Sequence, residues 1–259
     1  MKFIAIIPAR YASTRLPGKP LASLAGKPVI QHVYQHVAQC TALTDVIVAT
    51  DDERILNTVH GFGGNALITR ADHKCGTDRC LEAMNSWLKQ HPETDAEDLV
   101  VVNIQGDEPF VHPEQISDLC RCFENQQTDI ATLARPYSPS DSWEDLQNPN
   151  TPKVVFDKDN RAILFSRSII PYLRNVPQEQ WLTHHTFYRH VGMYAYRATI
   201  LRTIATLAPT PLELAESLEQ LRWLENGYTI RVAVTHHATI GIDTPEDLLK
   251  AENAILHLT

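Results

Sequence analysis

The sequence predicts an α/β fold: a mostly parallel sheet flanked by helices, with an inserted region in the second half. Three observations carry this. The first half alternates short apolar strands with amphipathic helices. Its first strand, Phe3 to Ile7, is an unbroken apolar run rather than an alternating one, and Leu99 to Ile104 is apolar but for Asn103. Such runs mark strands buried on both faces. Beyond about Pro136 the chain changes character, with polar, proline-containing connections and short strands.

Taken in order, Phe3 to Ile7 is the first strand. Val29, Ile30, Val33 and Val37 recur at helical spacing. Asp45 to Thr50 is the second buried strand. Glu53 to His60 reads as a helix stopped by Gly61, Gly63 and Gly64. Ala66 to Thr69 is a short third strand, Thr77 to Lys89 a helix, and Leu99 to Ile104 the fourth strand. Pro113 opens a helix at a position where proline is tolerated. Asp129 to Ala134 is a further strand. Val154 to Asp157 and Ala162 to Phe165 flank a hairpin turn at Lys158-Asp159-Asn160. Val191 to Tyr196 alternates as a strand, Pro211 to Glu225 reads as one helix ended by Asn226-Gly227, and Thr229 to Val234 is a strand. Thr244-Pro245-Glu246-Asp247 is a helix start, with Thr244 as N-cap, Pro245 in the first turn and acidic residues favoured by the helix dipole.

The bulk properties narrow the partners. The chain has 259 residues, 43% of them hydrophobic, and a formal net charge of −8. No apolar run is long enough to span a bilayer, and Pro8 and Arg10 cut short the N-terminal one. The expectation is a cytoplasmic protein without membrane insertion. An acidic chain with one short basic cluster suits a mononucleotide better than a nucleic acid. The five cysteines form an odd set, and Cys75/Cys80 and Cys120/Cys122 lack zinc-knuckle spacing, so neither disulfides nor a metal is expected of them.

Parallel open sheets bind ligands beyond the carboxyl ends of their strands. The loop after the first strand, PARYASTRLPGKPL, holds Arg10, Arg15 and Lys19 among Ser13, Thr14 and Gly18. Cations and a glycine that lets the backbone approach suit a triphosphate. The loop has neither the Walker A pattern nor the dinucleotide glycines, which disfavours a nicotinamide dehydrogenase. A solvated basic turn is the alternative. The fourth strand ends in Gln105-Gly106-Asp107-Glu108-Pro109, where Asp107 is placed to hold Mg²⁺ facing the phosphates while Glu108 points the other way. Asp243 ends the last strand beside Thr244, where a role in capping is equally open. His184-His185 and His236-His237 are adjacent pairs, poorly arranged for shared metal binding and expected at the surface.

IIPARYASTRLPGKPL at 6–21, GTDR at 76–79, NIQGDEP at 103–109, FSR at 165–167, RHVGMYAYR at 189–197, LEQLR at 218–222 and GIDTPEDL at 241–248 occur in this order. Together they resemble the 3-deoxy-manno-octulosonate (Kdo) cytidylyltransferases over nearly the whole chain. The resemblance implies a nucleotidyltransferase-like, Rossmann-type domain spanning the chain, with an inserted sugar-binding and dimerisation region at about 135–210 that makes a homodimer. It implies CTP and an acid sugar, Kdo, as substrates, and Mg²⁺ as the cofactor. By the same resemblance Ala9, Arg10, Gly76, Thr77 and Arg79 lie around the cytidine, and Arg15 and Lys19 at the phosphates. Arg10, Arg15 and Lys19 are the expected catalytic cations. Asp107 and Asp243 are the implied metal carboxylates. Gln105, Arg167, His190, Tyr194, Glu219 and Gln220 are implied at the sugar, with Arg167 opposite its carboxylate. The chain departs from the family at Cys75 and Asp78, where serine and glutamate are usual, and in the connection from Arg174 to Thr186. The rival readings are a cytidylyltransferase for an 8-amino analogue of Kdo or a sialic acid, and a nucleotide sensor that turns nothing over.

Overall fold

A computed structural model describes residues 1–12, 16–238 and 240–256. Strand β1 (Lys2–Ala9) leads to a 3₁₀ turn (Lys19–Leu21) and a small hairpin of β2 (Ser23–Leu24) and β3 (Lys27–Pro28). This hairpin has no periodicity to betray it. It depends on Ala25 and Gly26, both at positive φ (47° and 80°), as a tight two-residue hairpin turn requires. Helix α1 (Val29–Val37), strand β4 (Asp45–Thr50), helix α2 (Glu53–Gly61), strand β5 (Ala66–Ile68), helix α3 (Gly76–Gln90), strand β6 (Leu99–Asn103) and helix α4 (Pro113–Arg121) follow as the hydrophobic pattern predicts. Asp52 caps α2 by accepting the Arg54 backbone N–H at 2.9 Å.

The second half contains β7 (Ile130–Pro136), α5 (Trp143–Gln147), β8 (Lys153–Phe156), β9 (Ala162–Ser166), α6 (Trp181–His184), β10 (Tyr188–Arg197), α7 (Ala198–Ile204), α8 (Pro211–Glu216), α9 (Glu219–Glu225), β11 (Ile230–Val234) and α10 (Pro245–Leu256). The single helix predicted over Pro211 to Glu225 is in fact two. Ser217 breaks it with a left-handed backbone, φ 51°. Arg167 holds the break open, donating to the carbonyls of Glu216 (2.6 Å) and Ser217 (3.2 Å). Thr244 does cap α10: its hydroxyl accepts the Asp247 N–H at 3.2 Å, and Asp247 accepts the Thr244 N–H in return.

Among the described residues nine strands form one sheet, with the path β11-β7-β10-β6-β1-β4-β5, β8 attached to β10, and β9 paired to β8. The pairs β6-β1, β1-β4, β4-β5 and β11-β7 are parallel. β10, inside the span expected as an insert, is a central strand running antiparallel to both β6 and β7. The alternating side chains of β1 divide the core. Ala5 and Ile7 join α1, α2, α4 and α10 on one face, while Ile4 and Ile6 join α3, α7 and α9 on the other. A third, smaller cluster of Tyr137, Leu146, Trp181 and Phe187 lies under the connections of the second half. Lys153, fully buried, anchors that region by donating to the carbonyls of Asn148, Thr151 and Arg167 at 2.9–3.0 Å.

Candidate active site

The carboxyl ends of β1 and β6 and the segment before α10 open into one cleft of about 790 Å³. The loop after β1 is drawn closed where the Gly18 N–H donates to the Tyr11 carbonyl at 2.9 Å. Gly18 has φ 69°, and a Cβ there would stand 2.9 Å from the Tyr11 ring, so glycine is needed on both counts. Ser13, Thr14 and Arg15 lie outside the described residues. The turn delivers Lys19 to the middle of the cleft.

Gly106 brings the second loop alongside the first. A Cβ on it would come within 2.8 Å of the Pro8 carbonyl oxygen, so only glycine lets the two strand ends meet this closely. Asp107 follows directly. The third segment is tied in by the Ile242 N–H, which donates to the Asp107 carbonyl at 2.9 Å. Asp243 comes next. Lys19 Nζ then joins the two acids, donating to Asp107 Oδ2 and, at 2.9 Å, to Asp243 Oδ1. Burial works against the charge on Lys19, but the two carboxylates outweigh it and its pKa is raised, so the ammonium persists. Glu108 turns away from the cleft, as expected, but not into solvent. Its Oε2 is enclosed without a hydrogen-bond partner among the described residues. Burial, with the charges of Asp107 and Asp243, pushes its carboxyl up to about 7.

On the opposite wall α3 begins at Gly76, where a Cβ would stand 3.5 Å from Pro8 Cγ. Arg79 is buried beneath it, donating to Thr69 Oγ1 and to Asp51 Oδ2 at 3.0 Å. The Asp51–Arg79 pair joins residues remote in sequence, and no local motif announces it. Glu219, from α9, reaches the same wall. It accepts the Thr77 hydroxyl at 2.9 Å and the Cys75 thiol at 3.3 Å. Burial raises the pKa of Glu219 against the opposing pull of these two donors. The Cys75 thiol thus stays a donor aimed at Glu219, and burial pushes it up to about 12.

Of the residues expected at the site, Ala9, Arg10, Lys19, Gly76, Arg79, Gln105, Asp107 and Asp243 line this cleft together. Thr77 and Glu219 meet just behind Cys75. Tyr11, inside the first quoted motif, and Cys75, singled out as a departure in the cytidine-side loop, line it as well, together with His73 and Lys74, which no motif included. His190, Tyr194 and Gln220 do not line this cleft. A bulge in β10 between Val191 and Tyr194 brings the rings of His190 and Tyr194 to 5.4 Å. His190 Nε2 meets Thr132 Oγ1 at 3.0 Å, and burial pulls its ring down to about 3, so it is neutral. Gln220 is buried with its Nε2 unpartnered among the described residues. Arg167 is engaged by three backbone carbonyls, those of Pro149, Glu216 and Ser217, rather than presented to the cleft.

A family model described as cytidylyltransferase matches residues 4–231. The chain is 57% identical over 252 residues to a 3-deoxy-manno-octulosonate cytidylyltransferase of Parabacteroides distasonis, covering 97% of each. It is 46% identical to the protein of the same name from Thermodesulfovibrio yellowstonii, covering 98% of each. Among solved structures, a CMP:2-keto-3-deoxy-manno-octonic acid synthetase complexed with CTP superposes with TM-score 0.88 at 39% identity, over 100% of both chains. A cytidylyltransferase from Leptospira borgpetersenii shares the fold, with TM-score 0.62 at 13% identity over 99% of this chain and 87% of that one.

Proposed function

The chain belongs to the 3-deoxy-manno-octulosonate cytidylyltransferases, and from that premise we propose that its cleft transfers cytidylate from CTP to Kdo, giving CMP-Kdo and pyrophosphate. The observation that carries this reading is the meeting in one cleft of Lys19 and Asp107, from the loops after β1 and β6, with Asp243, which stands just before α10 and not, as expected, at the end of a strand, since β11 already ends at Val234. The relatives named as cytidylyltransferases favour transfer over a sensor, and those named for Kdo favour that sugar over a sialic acid.

The reaction forms a bond from the anomeric oxygen of the sugar to the α-phosphorus and breaks the bond to the β-phosphate. Pyrophosphate leaves, and the hydroxyl proton is lost. Its difficulty is negative charge on both partners. Lys19 and Arg10 offset that charge, and their value lies in meeting it as the transition state forms. Arg15 completes the set of cations carried by the loop. Gly76 and Arg79, with Ala9, form the wall offered to the cytidine. Gln105 and Glu219 face the acceptor sugar.

Asp107 and Asp243 fit Mg²⁺. Two carboxylates converge on one positive group, and Asp243 keeps 45% of its side-chain exposure, open to an ion carrying its own waters. When bound, Mg²⁺ would neutralise phosphate oxygens and lower the pKa of the sugar hydroxyl. No side chain of the cleft is then required as general base. His190, Tyr194 and Gln220 would support the sugar end, with Arg167 acting through the backbone it fixes. The span at about 135–210 is proposed as the sugar-side and homodimer region, supported by Tyr172, which is 74% exposed beside the small aromatic cluster. No helix among the described residues is long and apolar enough to cross a membrane. We place the enzyme in the cytoplasm, where CTP is made, supplying an activated sugar for lipopolysaccharide assembly.

The test is pyrophosphate release with CTP, Mg²⁺ and a panel of acid sugars. Release with Kdo is expected. Release with a sialic acid alone would reassign the sugar, and no release with any of them would favour the sensor.

A further inference from the structure

The loops that carry Asp107 and Asp243 meet a second time, outside the cleft. His112 is the N-cap of α4, Glu114 lies in its first turn, and His237 comes from the segment between β11 and Asp243. The imidazoles of His112 and His237 stack at 3.8 Å, only 8° from parallel. His237 Nε2 lies 2.7 Å from Glu114 Oε2. One ligand atom from each of the three residues falls within 4.8 Å of the other two.

From this convergence we propose that His112, Glu114 and His237 form a second metal site, for a borderline divalent transition ion such as Zn²⁺. The donor set decides the class of ion. Two imidazoles and one carboxylate suit zinc and its neighbours, whereas Mg²⁺ and Ca²⁺ want oxygen ligands. The positive end of α4 points the same way, since it disfavours a cation held by charge alone and less so one held by imidazole lone pairs. Three protein ligands leave a fourth position for water.

The local chemistry accommodates the ion. His237 Nε2 already faces Glu114 Oε2 at 2.7 Å, and a metal would take the place of the proton between them. The Nδ1 of His112 accepts a long bond, 3.3 Å, from the Glu114 N–H. Whichever ring nitrogen binds the metal, the other must carry the proton, so this bond is given up. The second half of the cap survives, because the His112 N–H still donates to Gln115 Oε1 at 2.9 Å. Parallel rings cannot both aim a lone pair at one ion, so they must turn apart. Glu114 and His237 are free enough to follow, with side chains 72% and 35% exposed. An ion bound here would clamp the Asp107 loop to the Asp243 segment at a second point, beside the Ile242–Asp107 bond.

The test is calorimetric titration of Zn²⁺ into untagged protein in excess Mg²⁺ without substrate, so that its outcome is independent of the cytidylyl transfer reading. Wild type should bind one Zn²⁺ and melt at a higher temperature when it is present. His237→Gln, at a partly exposed position, should keep its metal-free melting temperature but bind at least about tenfold more weakly, since even outer-shell losses cost that much. Glu114→Gln, on the helix surface, should also weaken binding, while His236→Gln should bind like wild type. Absence of Zn²⁺ binding by wild type, or undiminished binding by both His237→Gln and Glu114→Gln, would overturn the site.

Discussion

Lys19 stands between two acids and keeps its charge because they outweigh the effect of its burial. Its task in the transfer is therefore electrostatic. Lys19→Ala should lower kcat by about 10²–10³-fold, the usual loss for one transition-state donor. Steady-state kinetics with CTP and Kdo check this, and near-normal turnover would remove Lys19 from the mechanism. His190 gives a pH effect of determinate sign. Its ring is depressed from an ordinary 6.5 to about 3 by burial, so the unfolded chain takes up a proton that the folded chain refuses. The stability this residue contributes is complete above pH ~6.5 and is lost as pH falls towards ~3. The slope is at most about 1.4 kcal/mol per pH unit, reduced by the exposure the residue retains. Urea midpoints between pH 7 and pH 5 should fall less steeply in His190→Gln than in wild type. Equal slopes would show that His190 titrates normally.

At the scale of elements, the break between α8 and α9 is where local pattern and tertiary structure part. The apolar spacing from Pro211 to Glu225 runs on without a glycine or proline to interrupt it, and so reads as one helix. The interruption is made from outside, by Arg167 bonding across to the carbonyls of Glu216, Ser217 and Pro149. Arg167 was therefore legible as a special residue but not as a backbone clamp. Arg167→Ala should lower stability by about 1–3 kcal/mol, because carbonyls lose charged donors. A denaturant melt without ligand reads it. If the variant melted like wild type and only its KM for Kdo rose, Arg167 would instead be the partner of the sugar carboxylate. The strands of the sheet were legible because burial on both faces favours near-continuous apolar runs rich in β-branched residues, as in DVIVAT and LVVVN. The β2–β3 hairpin was not, since two-residue strands carry no period.

For the whole molecule, the site was readable to the extent that it lies at strand ends. Lys19 and Asp107 are legible from their positions after the buried strands β1 and β6, Asp243 only from the family resemblance, and the fold brings the three together through Gly106 and the Ile242–Asp107 bond. What the sequence concealed is what only packing decides: the Asp51–Arg79 pair, the enclosed Glu108 carboxyl and the contact of His112 with His237. In the proposed mechanism the loops after β1 and β6 and the segment before α10 act as one transfer site. The direct measurement is kcat for CMP-Kdo formation in Lys19→Ala, Asp243→Asn and the double variant, at saturating CTP, Kdo and Mg²⁺. Residues that act as a unit are strongly non-additive. The double variant should therefore be little slower than the slower single variant. Losses that simply multiply would mean that Lys19 and Asp243 work independently, and would contradict the account.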